Sequence, residues 1–225
     1  MKLLWQQIAS TTITEILCST KLDGVVLDLE HGCFNNSDIY QSIQIASLKR
    51  KKVLVRITDI DKSLVRMVLD ANADGIILST VESVSNFMNL YKICDYNLQR
   101  GQGLVRENFW GEKPFSKRLP LIIPQIETKA GVVISDSLSN VYSGPVLVGP
   151  YDLSASCGEV GNFNNEEFKS GMRMLKKTFG TKLGYHIVKD VDKQIEGLKD
   201  SEFLAFGMDS LFLIDGIKRI EEAVL

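Results

Sequence analysis

Gly24-Val25-Val26-Leu27-Asp28-Leu29-Glu30-His31 sets a β-branched and aliphatic run directly against two acids and a histidine. A run that is apolar on both faces suits a strand buried between a core and covering helices. An abrupt polar end is where a barrel enzyme keeps its reacting groups. The same device recurs three times. Val53-Leu54-Val55 leads into Arg56, Ile122-Ile123-Pro124 into Gln125-Ile126-Glu127, and Val146-Leu147-Val148 into Gly149-Pro150-Tyr151-Asp152. A parallel barrel gathers such ends on one rim.

Outward from these runs, short β-branched stretches alternate with amphipathic ones, the pattern of βα units. Strands are expected at Trp5–Ala9, Gly24–Leu29, Lys52–Ile57, Asp74–Leu78, Leu121–Ile126, Pro145–Val148, Lys182–Ile187 and Phe203–Phe206. Helices are expected at Ser37–Leu48, Lys62–Ala71, Val84–Cys94, Lys129–Leu138, Glu166–Thr178, Val191–Leu198 and Ser210–Val224, several behind a capping Ser, Asp or Asn. Eight strands in this order predict an α/β chain folded as a single (β/α)8 TIM barrel domain over residues 1–225. The stretch from Asn97 to Leu119, rich in Gly, Arg and Lys, reads as a long functional loop.

Composition narrows the partners. The 225 residues are 44% hydrophobic and 24% charged, with a net charge of −2 and a mean hydropathy of +0.02, values of a globular protein with a substantial core. No global field attracts nucleic acid, and no apolar run approaches bilayer length. Cys18, Cys33, Cys94 and Cys157 form no CxxC pair, and the start Met1-Lys2-Leu3-Leu4-Trp5-Gln6-Gln7 loses apolar character too early for a signal peptide. A cytoplasmic protein with reduced thiols is expected.

Carboxylates converging on one rim repel one another unless a cation joins them. Oxygen donors without a His or Cys cluster favour Mg²⁺ or Mn²⁺ over zinc. Of the two histidines, His31 sits beside the acidic rim and is the candidate acid/base group; His186 ends an apolar strand and reads as a satisfied core histidine. Plainer readings stand beside these. Glu127 and Asp152 each precede a predicted helix and could be N-caps, Arg56 could be a structural partner of Asp28 or Glu30, and Asp70 closes a helix where an acid is usually solvated. The basic residues Arg100, Arg106, Lys113, Lys117 and Arg118 are interrupted by Glu107 and Glu112 and suit an anionic substrate tail better than nucleic acid. Cys33 reads as a bystander.

Asp28-Leu29-Glu30-His31-Gly32, Arg56, Pro124-Gln125-Ile126-Glu127-Thr128 and Gly149-Pro150-Tyr151-Asp152-Leu153-Ser154, in that order and spacing, resemble the signatures of the HpcH/HpaI aldolases. These are metal-dependent class II enzymes of the phosphoenolpyruvate/pyruvate-binding barrel type. The resemblance implies that Glu127 and Asp152 bind the metal, while Asp28, Glu30 and Gln125 hold its water ligands. It implies that Arg56 donates to the developing enolate oxygen and that His31 moves protons with Asp70 in support. Trp5 matches an aromatic residue near the pyruvate pocket, and the backbone of Gly149, Pro150, Tyr151 and Asp152 would receive the substrate carboxylate. Arg100-Gly101-Gln102-Gly103 and Arg106 match the family's substrate loop.

Three features depart from the pattern: Ser79-Thr80 in place of a proline-containing strand end, Tyr151 where a smaller residue is usual, and Glu107-Asn108-Phe109-Trp110-Gly111. The chain also begins close to Trp5, where relatives usually carry a further N-terminal segment.

The implied activity is reversible cleavage of a 4-hydroxy-2-oxo acid to pyruvate and an aldehyde by a homo-oligomer. Lys52 and Lys182 lie at the wrong strand ends for Schiff-base chemistry. Oxaloacetate decarboxylation, acyl-CoA ester cleavage, or a non-catalytic barrel that binds a small acid remain open on these residues.

Overall fold

Eight strands, each sending alternate side chains inward, bond edge to edge in chain order until the last meets the first. The computed structural model describes residues 1–95, 98–114 and 119–225. Its strands are β1 (Lys2–Gln6), β2 (Gly24–Asp28), β3 (Lys52–Ile57), β4 (Gly75–Leu78), β5 (Leu121–Ile126), β6 (Val146–Val148), β7 (Leu183–Ile187) and β8 (Leu204–Phe206). All neighbours are parallel, and β1 closes on β8 with Leu3 opposite Ala205. The helices are α1 (Thr11–Cys18), α2 (Asn36–Leu48), α3 (Lys62–Asp70), α4 (Val84–Cys94), α5 (Lys129–Val133), α6 (Ser135–Val141), α7 (Pro150–Ser156), α8 (Glu166–Phe179), α9 (Val191–Gln194) and α10 (Asp209–Val224). This is the (β/α)8 barrel expected from the alternation.

Alternation along the strands builds two cores. Leu3, Val26, Leu54, Ile77, Ile123, Leu147 and Phe203 fill the barrel. Val25, Leu27, Val53, Val55, Ile76 and Val146 face outward against buried helix residues such as Ile43, Val68, Phe87 and Leu138. The two layers explain why the strands read as apolar on both faces.

Several boundaries differ from expectation. The first strand, expected at Trp5–Ala9, lies at Lys2–Gln6, because the amides of Gln7 and Ile8 turn away to donate to the buried carboxylate of Asp209 (3.0 and 2.9 Å). The helix expected at Lys129–Leu138 breaks at Ile134 into α5 and α6, and the one at Val191–Leu198 tightens into a 3₁₀ turn after α9. Helix α1 escaped sequence reading: five of its eight residues are Thr or Ile, poor helix formers, and it is held by Thr14 Oγ1 donating to Gln6 Oε1 (2.9 Å) and by packing on α2. Helix α7 is short and starts on Pro150, a residue suited to a first helical position. Lys117 and Arg118, in the long loop, lie outside the described residues.

Helix α10 stands off the barrel. Asp209 is its one buried residue, while Phe212, Leu213, Ile214, Ile217, Ile220 and Val224 are exposed.

Asp209 ties the end of β8 to the end of β1 and so closes the rim. Asp209→Ala leaves two strand-end amides without their acceptor and should cost about 1–3 kcal/mol per stranded group, read as a fall in thermal midpoint, with Asp209→Asn losing less. Equal stability of all three proteins would show that the rim closes without this contact.

Candidate active site

The inward positions that follow the barrel core carry the polar groups. Two residues beyond Leu3, Val26, Leu54, Ile123 and Leu147 stand Trp5, Asp28, Arg56, Gln125 and Gly149. Asp28 and Arg56 are register partners on β2 and β3. Strand alternation alone therefore brings these side chains to the carboxyl-end rim.

Asp28 is the hub. Its Oδ1 accepts from Arg56 Nε (2.9 Å) and from the amides of Glu30 (3.1 Å) and His31 (3.4 Å). Its Oδ2 accepts from Arg56 Nη2 (2.7 Å), Trp5 Nε1 (3.0 Å) and Gln7 Nε2 (3.1 Å). Burial pushes this carboxyl up, but the Arg56 hydrogen bonds and charge, with Trp5 and Gln7, outweigh it and hold the pKa at about 2. With both oxygens saturated by protein donors, Asp28 anchors Arg56; the role of holding a metal's water, implied by the resemblance, does not suit a carboxylate so fully engaged. Glu30 takes Arg56 Nη1 at 2.5 Å. Arg56 is thus forked between two acids and lies over the Trp5 ring, 4.9 Å from its centroid.

Across the rim, Glu127 is buried. Its Oε1 accepts from the Thr80 amide (2.7 Å) and Thr80 Oγ1 (2.8 Å), and its Oε2 from Gln125 Nε2. Thr80 holds φ +50°, a strained setting for a β-branched residue, which aims its amide at the carboxylate. Burial, joined by the nearby charges of Glu30 and Asp152, raises the Glu127 pKa. Gly149 lies so close that a Cβ there would overlap the Glu127 side chain. Gln125 Oε1 is buried with no hydrogen-bond partner among the described residues.

Trp5, Gln7, His31, Arg56, Gln125, Gly149, Pro150, Tyr151, Asp152 and His186 surround a cavity of about 380 Å³, the scale of a small-molecule site. His31 and Asp152 are exposed at its mouth. The turn expected to receive a carboxylate offers fewer amides than its four residues suggest. Pro150 has no amide, and the Gly149 amide donates to Ile126 (3.1 Å), so the Tyr151 and Asp152 amides are the two that remain.

Three expected site residues stand elsewhere. Helix α3 runs antiparallel to the strands, so Asp70 at its end lies by the strand amino ends. There it pairs with Arg100 (3.0 Å), which also meets Glu107 (2.6 Å), while Arg106 donates to the Ala71 carbonyl. Within one chain Asp70 does not reach His31, and Arg100 and Arg106 do not reach the cavity. In the other direction, sequence reading missed Thr80, Gln7 and the placement of His186. His186 is not the satisfied core histidine expected: it is half-buried, lines the cavity and stacks on Trp5 with centroids 4.2 Å apart; the period-two step from Gly184 to His186 was the available signal.

Residues 2–215 match the model of the HpcH/HpaI aldolase/citrate lyase family. The chain belongs to this family, and so to the aldol-type carbon–carbon lyases. It is 27% identical to a hydroxypyruvate/pyruvate aldolase of Roseovarius nubinhibens, over 93% of this chain and 86% of that one. It is 24% identical to a 2-keto-3-deoxy-L-rhamnonate aldolase of Salmonella gallinarum, over 95% and 85%. A crystal structure of a family protein from Burkholderia cenocepacia superimposes with a TM-score of 0.90 at 18% identity, covering 100% of this chain and 94% of that one, and bears out the fold.

Burial pushes the pKa of His186 down to about 4, with Arg56 helping and the Gly207 carbonyl opposing. The unfolded ring, near 6.5, binds its proton more tightly, so the stability this residue confers is complete above about pH 6.5 and is lost as pH falls toward 4. Asp28, depressed from 3.8, keeps its contribution until pH falls toward 2, and Glu127, raised, works in the opposite sense to both. Wild type should therefore lose thermal stability relative to His186→Leu between pH 7 and pH 4.5; a difference constant with pH would show that the ring is not held neutral.

Proposed function

We propose that the chain, as one barrel domain over residues 1–225, is a metal-dependent class II aldolase that reversibly cleaves a 4-hydroxy-2-oxo acid to pyruvate and an aldehyde. The observation that carries this reading is the rim itself: an Arg56 fork held by two acids, facing a buried Glu127–Gln125 pair across a cavity of small-acid size.

The family is one of class II aldolases, generally dependent on a divalent metal. Among the described residues no three His, Cys, Asp or Glu side chains cluster tightly enough to hold an ion unaided, so its shell must be completed by water and substrate, as suits Mg²⁺ or Mn²⁺. The donor set fits such an ion. Glu127 is a buried acid further disfavoured by Glu30 and Asp152, the conflict a cation removes, and Gln125 Oε1 is an unused buried acceptor for the hydration shell. Glu127 and Asp152 would hold the cation, and bound there it supplies Lewis-acid polarisation of the 2-oxo group.

The protein's own groups do the rest. Free N–H donors of Arg56 stabilise the negative charge that gathers on the 2-oxo oxygen as the C3–C4 bond breaks. His31, at the cavity mouth, takes the C4 hydroxyl proton and returns it in the condensation direction. The Tyr151 and Asp152 amides receive the carboxylate, and Trp5 walls the pocket. Asp70, Arg100 and Arg106 take no part within one chain.

The exposed apolar face of α10, with Leu213, Ile217, Ile220 and Val224 at helical spacing, supports homo-oligomers in which a second copy covers it. Four unpaired thiols support a cytoplasmic location.

Chelation should abolish activity and Mg²⁺ or Mn²⁺ restore it, with Glu127→Gln and Asp152→Asn each losing bound metal while staying folded; full activity of either variant in chelator would remove the metal assignment.

Arg56→Ala should lose about 10²–10³-fold in kcat, with little change in KM. His31→Ala should lose about 10²–10⁴-fold in aldol cleavage yet retain more oxaloacetate decarboxylation, which removes no hydroxyl proton. Equal losses of both reactions in His31→Ala, at verified metal occupancy, would show that His31 serves the metal or Arg56 instead.

A further inference from the structure

His186 lines the cavity and has no part in the mechanism above. It follows Gly184 on the inward face of β7, in register with Ala205 of β8. Its ring is fixed on two sides: one face stacks on Trp5 at an interplanar angle of 18°, and Nε2 lies 2.8 Å from the Gly207 carbonyl oxygen. A carbonyl can only accept, so Nε2 carries the proton and Nδ1, in the neutral ring, carries a lone pair. Gly207 sits at φ +57°, a setting that favours glycine, and its own amide donates to Ile187 (2.8 Å), so the carbonyl that selects this tautomer is itself held in place. Among the described residues Nδ1 takes no hydrogen bond, and it is not one of the sealed, partnerless side-chain atoms either, which leaves it open to the cavity the ring lines. Burial and the neighbouring Arg56 charge keep the ring unprotonated at neutral pH.

The polar groups around Trp5 are donors already engaged. Gln7 Nε2 and Trp5 Nε1 donate to Asp28, and Arg56 offers donors only. The cavity's other side-chain acceptors, Gln125 Oε1 and the Asp152 carboxylate, belong with Glu127 at the proposed cation site, so a fixed neutral acceptor beside Trp5 selects for a donor on the ligand. A carboxylate or a keto oxygen has none; a hydroxyl does.

We propose that His186 is a specificity-determining residue whose Nδ1 accepts a hydrogen bond from a substrate hydroxyl, so that the cavity prefers hydroxylated substrates to their plain counterparts. This rests on the aldolase reading above. The hydroxyl is carried either by the 2-oxo acid, beside its keto group, or by the aldehyde.

The chain has two histidines, so ¹⁵N-histidine labelling gives a spectrum of two rings, assigned with His186→Leu. In wild-type protein with Mg²⁺, His186 should show protonated Nε2 and bare Nδ1, and Nδ1 should shift upfield on adding hydroxypyruvate or glycolaldehyde but not pyruvate or propanal. Kinetics supply the second reading. The ratio of kcat/KM for hydroxypyruvate over pyruvate with a fixed aldehyde, or for glycolaldehyde over propanal with pyruvate, should fall about 3- to 10-fold in His186→Leu, the worth of one neutral hydrogen bond. The arm that falls locates the hydroxyl. A proton on Nδ1, or an Nδ1 response indifferent to the hydroxyl on both arms, overturns the inference whatever the variant does. If the hydroxyl-dependent shift is present but wild-type protein makes no carbon–carbon bond, the aldolase reading falls and the role of His186 in ligand selection stands.

Discussion

A closed parallel barrel lets each strand send only every second side chain inward, and the strands stop at one rim. The consequence here is that a layer of Leu, Val and Ile must be followed, two residues on, by whatever the rim is to carry. Trp5, Asp28, Arg56, Gln125 and His186, from five different strands, occupy those positions, with Gly149 just past the end of a sixth. A slip of one residue in β2 or β3 would exchange Asp28 or Arg56 for an outward aliphatic and push a charge into the layer between sheet and helices. Core packing and site assembly are therefore one constraint.

Within that frame the Asp28–Arg56 pair governs the polarity of the rim. A lone buried guanidinium or carboxylate would be costly, and the pair survives because six donors converge on Asp28 and a second acid, Glu30, meets Arg56 from the far side. The arrangement leaves Arg56 charged, rigid and partly unspent, the condition for stabilising charge that appears only during reaction. Glu127 is treated in the opposite way. It is buried with only neutral donors, Thr80 and Gln125, and with acids as its charged neighbours. One carboxylate is compensated by a guanidinium; the other has neutral donors alone.

The strands and most helices were legible because period and punctuation act locally: Lys52–Ile57, Leu121–Ile126 and Val84–Cys94 fall where the sequence places them. The rim residues were legible for the same reason, since a polar residue ending an apolar run declares itself. What escaped depended on contacts distant in sequence. Strand β1 stops early because Asp209, some two hundred residues on, takes its next amides. Asp70 looked eligible until α3 was seen to carry it down to the strand amino ends. Thr80 joined the site through a left-handed backbone that no propensity of threonine announces.

The two histidines show how far environment outruns residue type. His31 follows an exposed turn whose backbone is pinned to Asp28, and its ring is free to meet solvent and substrate. His186 sits one strand layer in, stacked and capped, unable to gain a proton near neutral pH. A proton carrier must change charge near working pH, whereas a reader of hydroxyl groups must not, because a ring that gained a proton at Nδ1 would turn from acceptor to donor. The stacking and the Gly207 bond that hold the His186 ring also fix its acceptor, so under the proposed roles one imidazole serves chemistry and the other selection without the two exchanging places.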